Sequence, residues 1–160
     1  MQTFLPLPSY IESARSLDTQ RLNKQKVECF QIYNAAIGQR YRTNGEYVGP
    51  AKGWLRHPAV LMWKEYPYQL LLYSLAVCKA CREFNIADKS GIEDFFFSRL
   101  SRHEDITPYW ITDKTLLDKV TYSHRANLIR KDSTFYAPKF PDINPINALS
   151  ILYFWPGVKV

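Results

Sequence analysis

Between Leu17 and Ala36 the chain reads LDTQRLNKQKVECFQIYNAA, a stretch with neither Gly nor Pro and long enough for about five helical turns. On a 3.6-residue period Arg21, Lys24, Gln25 and Glu28 fall on one face, at i, i+3, i+4 and i+7. Leu22, Cys29, Phe30, Tyr33 and Ile37 take the broad opposite side. Farther along, Ile32, Ala35 and Ala36 continue the first face as an apolar one. A helix that is polar near its start and apolar at its far end is expected to be partly buried, with its charged stripe looking into a cleft. An ordinary amphipathic helix with solvated Lys and Glu fits the same residues, and both readings stand at this point.

The rest of the chain supports a helical fold. Its 160 residues suit one domain, 1–160, with a substantial core. Periodicity predicts helices near 17–37, 59–84, 90–103 and 113–131, an all-α, compact single-domain helical bundle. Ser9 with Glu12, and Ser90 with Glu93, read as capping boxes. Pro58 suits a first helical position, and Pro67 is expected to kink or split the helix it falls in. The segment YQLLLYSLAVCKACREF reads as the central core helix. From Tyr136 onward Pro138, Pro141, Pro145 and Pro156 predict an irregular, Pro-rich C-terminal tail that wraps the domain. No apolar run is long enough to span a bilayer, and the start lacks the layout of a signal peptide. Three cysteines, an odd number, point to a reducing, cytoplasmic setting. Cys78 and Cys81 form a CxxC without a second ligand pair, so neither a metal nor another cofactor is expected.

Residues 38–58, GQRYRTNGEYVGPAKGWLRHP, form a long basic loop that holds Gly38, Gly45, Gly49 and Gly53. Asn44-Gly45 also fits a small hairpin. Arg40, Arg42 and Arg56 lie here with Tyr41, Trp54 and His57, and the whole chain carries a formal charge of +6. Cations hold phosphates and aromatic rings stack on bases, so this loop is a candidate DNA-binding segment. Near the other end Ser123, His124, Arg125, Asn127, Arg130 and Lys131 form a second polar constellation on a helix.

No nucleophile elbow, phosphate loop, zinc-protease or dinucleotide motif occurs. Cys29 lies on the apolar side of its helix and reads as structural. That leaves acids, amines and cations as carriers of chemistry. Glu28, flanked by Arg21, Lys24 and Gln25, is the best-placed carboxylate, and Asp18 is the next, although an acid there also suits a helix cap. His57 and His124 are the acid–base candidates, and for each a packed structural histidine is the alternative.

The start MQTFLP, the block LDTQRLNKQKVE, the segment GWLRHPAVLMW and the ending SHRANLIRKDSTFY…YFWP resemble proteins related to the pyrimidine-dimer DNA glycosylases, the group of the phage enzyme endonuclease V. The resemblance covers most of the chain. It implies a compact all-α domain that binds duplex DNA, bends it and flips a nucleotide. It also implies attack on the sugar C1′ by the N-terminal α-amine, a Schiff base, and help from a glutamate on the first long helix. In the register drawn on that block the glutamate's place falls to Gln20, with Asp18 and Glu28 on either side. Gln2 is too large for removal of the preceding methionine, so Met1 is expected to stay.

The reading that follows is a DNA glycosylase, with or without a lyase step, acting on a damaged or modified base in duplex DNA. Two alternatives remain: a non-catalytic binder of such DNA, and an enzyme acting on a nucleotide or modified base.

Overall fold

A computed structural model describes residues 1–158. The fold is all-α apart from one small hairpin. After an extended N-terminal segment come α1 (Tyr10–Ser16) and α2 (Thr19–Ile37), then β1 (Gln39–Tyr41) and β2 (Tyr47–Pro50). Helices α3 (Pro58–Trp63), α4 (Pro67–Glu83) and α5 (Ile92–Arg99) follow, the last running into a 3-10 turn, Leu100–Arg102. The chain continues through α6 (Tyr109–Thr112), α7 (Lys114–Lys131), α8 (Ser133–Tyr136) and α9 (Pro145–Ala148).

Local chemistry explains most boundaries. Asp18 caps α2 by accepting from the Arg21 N–H, and Gly38 closes it at φ 70°, a left-handed conformation that costs glycine little. Pro58 opens α3 behind His57, whose Nδ1 accepts from the Ala59 N–H. Pro67 splits the 59–84 stretch into two helices. Arg42 and Glu46 close the hairpin around Asn44-Gly45. The expected box at Ser90 and Glu93 is not the cap of α5. Gly91 at φ 70° precedes that helix, and the Asp88 carboxylate accepts from the Ile92 and Glu93 N–H groups instead. Ser9 caps α1 as expected, but Glu12 turns to Arg15 and does not close a box.

The core forms where α2 and α1 pack on α4. Trp63, Trp110, Tyr33, Tyr73, Tyr136 and Phe96 are among its fully buried side chains. Trp63 meets Trp110 edge to face at 5.2 Å. On α2 half of the polar stripe is sunk into this body: Gln25 is 1 % exposed and Glu28 8 %, Arg21 is half-buried and Lys24 is exposed. The cleft reading fits Gln25 and Glu28, and the solvated reading fits Lys24.

Candidate active site

The N-terminal segment is extended and buried, so its backbone groups must find partners outside any ladder of their own. Side chains from four helices supply them, and a fifth, α3, holds a side chain of the segment. From α2, the Gln25 carboxamide accepts from the Phe4 N–H at 3.1 Å and donates to the Gln2 carbonyl. Tyr73 of α4 donates to the Phe4 carbonyl at 2.6 Å, and the Trp63 indole of α3 to the Thr3 hydroxyl at 2.8 Å. From α7, His124 Nδ1 accepts from the Leu5 N–H at 2.8 Å, and Arg125 donates to the Pro6 carbonyl at 2.8 Å. Ser13 of α1 bonds both backbone groups of Leu7.

The segment runs antiparallel to α2, Gln25 meeting residues 2 and 4 and Glu28 meeting residue 1. Its far end delivers the Met1 amine to 3.6 Å from Glu28 Oε1. The Met1 and Glu28 side chains are only 3 % and 11 % exposed. Lys24 Nζ lies 3.6 Å from the same carboxylate oxygen, but its side chain is 73 % exposed. Glu28 thus sits between the N-terminal amine and an exposed lysine.

These groups line a cavity of about 500 Å³ with Gln2, Phe4, Gln20, Arg21, His57, Pro58, Lys131, Tyr153 and Trp155. Its charge is predominantly positive. Arg21 is steered by Asp18, whose Oδ2 accepts from the guanidinium at 2.9 Å and from the Tyr136 hydroxyl. Burial pushes the Asp18 carboxyl up, but the Tyr136 and Arg21 hydrogen bonds outweigh it and hold its pKa below the usual value. Burial lowers the Lys131 pKa, and the nearby Arg21, Lys24 and Arg130 lower it further against the pull of Glu28. Burial and the Met1 amine lower the His57 pKa, with Glu28 opposing. Because His57 Nδ1 is occupied by the Ala59 N–H, its neutral ring carries the proton on Nε2.

Of the residues singled out in the sequence, Arg21, Lys24, Glu28, His57 and Lys131 meet at this cavity. Others lie behind it, turned toward the chain's own backbone. Gln25, His124 and Arg125 spend their polar atoms on the N-terminal backbone. Burial drives the His124 pKa down to about 3, its ring lies edge-on to those of Tyr153 and Trp155, and its Nε2 has no hydrogen-bond partner among the described residues. It is a neutral structural acceptor, not an acid–base group. Arg125 also pairs with Asp142 at 3.0 Å, so its charge is engaged internally. Ser123 Oγ accepts from the Phe154 N–H, and Asn127 donates to the Ile151 carbonyl. These two hold the C-terminal tail so that Tyr153 and Trp155 wall the cavity. Asp18 serves as helix cap and as the clamp on Arg21.

Gln20 lines the cavity, but the carboxylate beside the amine is Glu28, about two turns farther along α2. Glu28 is one of the two carboxylates that flank Gln20 in the sequence, and the antiparallel path of the N-terminal segment is what brings the amine to it. Arg40, Arg42, Trp54, Arg56, Arg130 and Lys131 are exposed, while Tyr41 is half-covered, with the Arg99 guanidinium 4.1 Å from its ring centre. Sequence reasoning missed Tyr153 and Trp155, which sit in irregular tail where no periodicity marks a face. It also missed Tyr136, read only as the start of that tail.

Among the described residues no group of three or more His, Cys, Asp or Glu gathers for a metal, and no helix is long and apolar enough to cross a membrane. Cys29, Cys78 and Cys81 are free and buried, and burial pushes the Cys29 thiol up to about 12.

Fold and cavity define a helical protein in which an amine and a helix-borne carboxylate share a cationic pocket. A sequence profile described as pyrimidine dimer DNA glycosylase matches residues 1–93, more than half of the chain, and the protein belongs to that family. At the family level its function is of the DNA glycosylase type, and its substrate is DNA. No curated protein and no solved structure matches the chain.

Proposed function

We propose that this chain, as one domain, is a DNA glycosylase with an associated lyase step, acting on a damaged or modified base in duplex DNA. The observation that supports it is the Met1 amine 3.6 Å from Glu28 in a pocket whose lining includes three cations and the rings of Phe4, Tyr153 and Trp155. Attack on C1′ of the deoxyribose requires the amine as free base, and Glu28 is placed to take its proton. The C1′–N bond to the base breaks as the new C1′–N bond forms, and the base leaves with the electron pair and takes up a proton. Ring opening at O4′, with a proton returned from Glu28, gives a cationic imine between C1′ and Met1. Loss of a C2′ proton then eliminates the 3′ phosphate. Arg21, Lys24 and Lys131 hold the flanking phosphates of a flipped nucleotide, and Tyr153 and Trp155 give its base a stacking wall.

The test is borohydride trapping on duplex DNA containing an abasic site, followed by mass spectrometry of the adduct. The expected product is a reduced link on the Met1 α-amine. An adduct on Lys24 or Lys131 moves the nucleophile to a side chain. Tight binding with no adduct favours the non-catalytic binder or a glycosylase that uses water. Failure to bind duplex DNA points to a nucleotide or free modified base as substrate.

A further inference from the structure

Trp54 is 60 % exposed and holds φ at 66°. For a bulky side chain that left-handed backbone is a genuine outlier. Asn85 is the other non-glycine residue at positive φ among the described residues, and asparagine adopts it easily. Gly53, next door, would take the same conformation at little cost, yet the turn puts its largest side chain there. Strain of this kind persists where a function requires the geometry.

The surroundings indicate what the ring is held out for. The Trp54 carbonyl accepts from the His57 N–H at 2.9 Å, which closes a turn. The Trp54 ring lies edge-on to the His57 imidazole at 5.5 Å, and His57 lines the amine cavity. Lys52, Leu55 and Arg56 beside it are exposed. Arg40 and Lys52 share with Trp54 a surface hollow of about 290 Å³. An outward aromatic ring at the rim of the reactive pocket, ringed by cations, is complementary to a stack of bases between phosphates.

We propose that Trp54 is a stacking wedge: it enters the duplex beside the reacting nucleotide and occupies the gap left when that nucleotide turns into the cavity. The identity of the ligand rests on the DNA glycosylase reading, but the wedge needs no chemistry by the Met1 amine. The geometry supplies both halves of the exchange, since one turn carries the ring that goes in and His57 at the pocket that receives what comes out.

The experiment uses a duplex with a tetrahydrofuran abasic analogue, which forms no Schiff base, flanked by 2-aminopurine. Binding of the wild-type protein is expected to lower 2-aminopurine fluorescence as the Trp54 ring stacks against it in the gap. Trp54→Ala is expected to bind about tenfold more weakly, in the range of one lost base–aromatic stack, and to give no such drop. Trp54→Phe restores most of both. The salt dependence of Trp54→Ala binding stays at the wild-type slope, because no phosphate contact is lost. The wedge is overturned if wild-type protein binds without a fluorescence drop, if it does not bind, or if Trp54→Ala matches it in affinity and signal. Because the analogue cannot be trapped, a failed amine mechanism leaves this result readable: no adduct on a true abasic site, with the drop intact, discards the lyase and keeps the wedge.

Discussion

Helices α2 and α7 each carry a polar stripe that is at least partly buried, and the two stripes face different partners. On α2 Arg21, Lys24 and Glu28 look into the cavity. On α7 Ser123, His124, Arg125 and Asn127 look at backbone, the first and last at the C-terminal tail and the middle two at the N-terminal segment. Buried polar groups need partners, and both helices obey that rule. The rule does not say whether the partner is a ligand or the chain itself. What separates the cases is how far each group's bonding capacity is used up within the protein. Glu28 faces two amines at 3.6 Å, longer than a hydrogen bond, whereas His124 Nδ1 is filled at 2.8 Å. The family match ends at residue 93, so it covers the α2 stripe and stops short of the α7 groups.

The largest expected difference between the stripes is in chemistry. Glu28→Gln is nearly isosteric and is expected to leave folding and DNA affinity in place while base release falls about a hundredfold, the range for loss of acid–base assistance. Single-turnover release, with affinity measured in parallel, checks it. Unchanged release would end the distinction, because α2 would then be as structural as α7.

On α7 the corresponding loss is in stability. His124→Ala leaves the Leu5 N–H unpaired in the core and opens a void, a cost of about 2–3 kcal/mol in denaturant unfolding. His124→Asn offers an acceptor at the Nδ1 position and is expected to recover part of it. The pair also has a pH signature. Because the folded His124 pKa is depressed to about 3 from 6.5, the unfolded state binds the extra proton first. Its contribution is complete above pH 6.5 and is lost as pH falls toward 3, at up to about 1.4 kcal/mol per pH unit. His57 and His103 shift in the same direction. The difference between wild type and His124→Asn removes their share, and it should shrink on acidification.

What could be read ahead of the structure follows the same division. The α2 helix was legible because its signals are local: Asp18 at the start, Gly38 at the end, and no Gly or Pro between. The hairpin at Asn44-Gly45 and the helix start at Pro58 were legible for the same reason. The α7 contacts were not legible because their partners are remote. His124 and Leu5 are 119 residues apart, as are Arg125 and Pro6. No periodicity encodes such a pairing, so Ser123, His124, Arg125 and Asn127 looked like a second site. The α5 cap failed on a smaller scale. Gly91 in a left-handed conformation carries the chain past Ser90 and leaves the capping to Asp88.

A third contrast sets binding against stability within one loop. Trp54→Gly removes both the ring and the Cβ that disfavours φ 66°. It is expected to stabilise the fold by about 1 kcal/mol, raising Tm by about 2–4 °C, while duplex affinity falls. A drop in Tm would show that Trp54 is a packing residue.

The smallest effect separates two cations on α7 itself. Arg125 donates to the Pro6 carbonyl and pairs with Asp142, and its side chain is 16 % exposed. Lys131, six residues on, is exposed at the cavity rim. A phosphate contact releases a counterion, so removing one lowers the slope of log K against log salt by about 0.9. Lys131→Ala is expected to show that change with unfolding unaltered. Arg125→Ala is expected to leave the slope alone and to cost about 1 kcal/mol of stability, mainly through the unpaired Pro6 carbonyl, because an ion pair as exposed as that with Asp142 contributes little. Titrating both variants with the same duplex at several salt concentrations, beside their denaturant curves, decides it. If Arg125→Ala lowers the slope as Lys131→Ala does, the α7 stripe reaches DNA after all and its role is not confined to holding the chain.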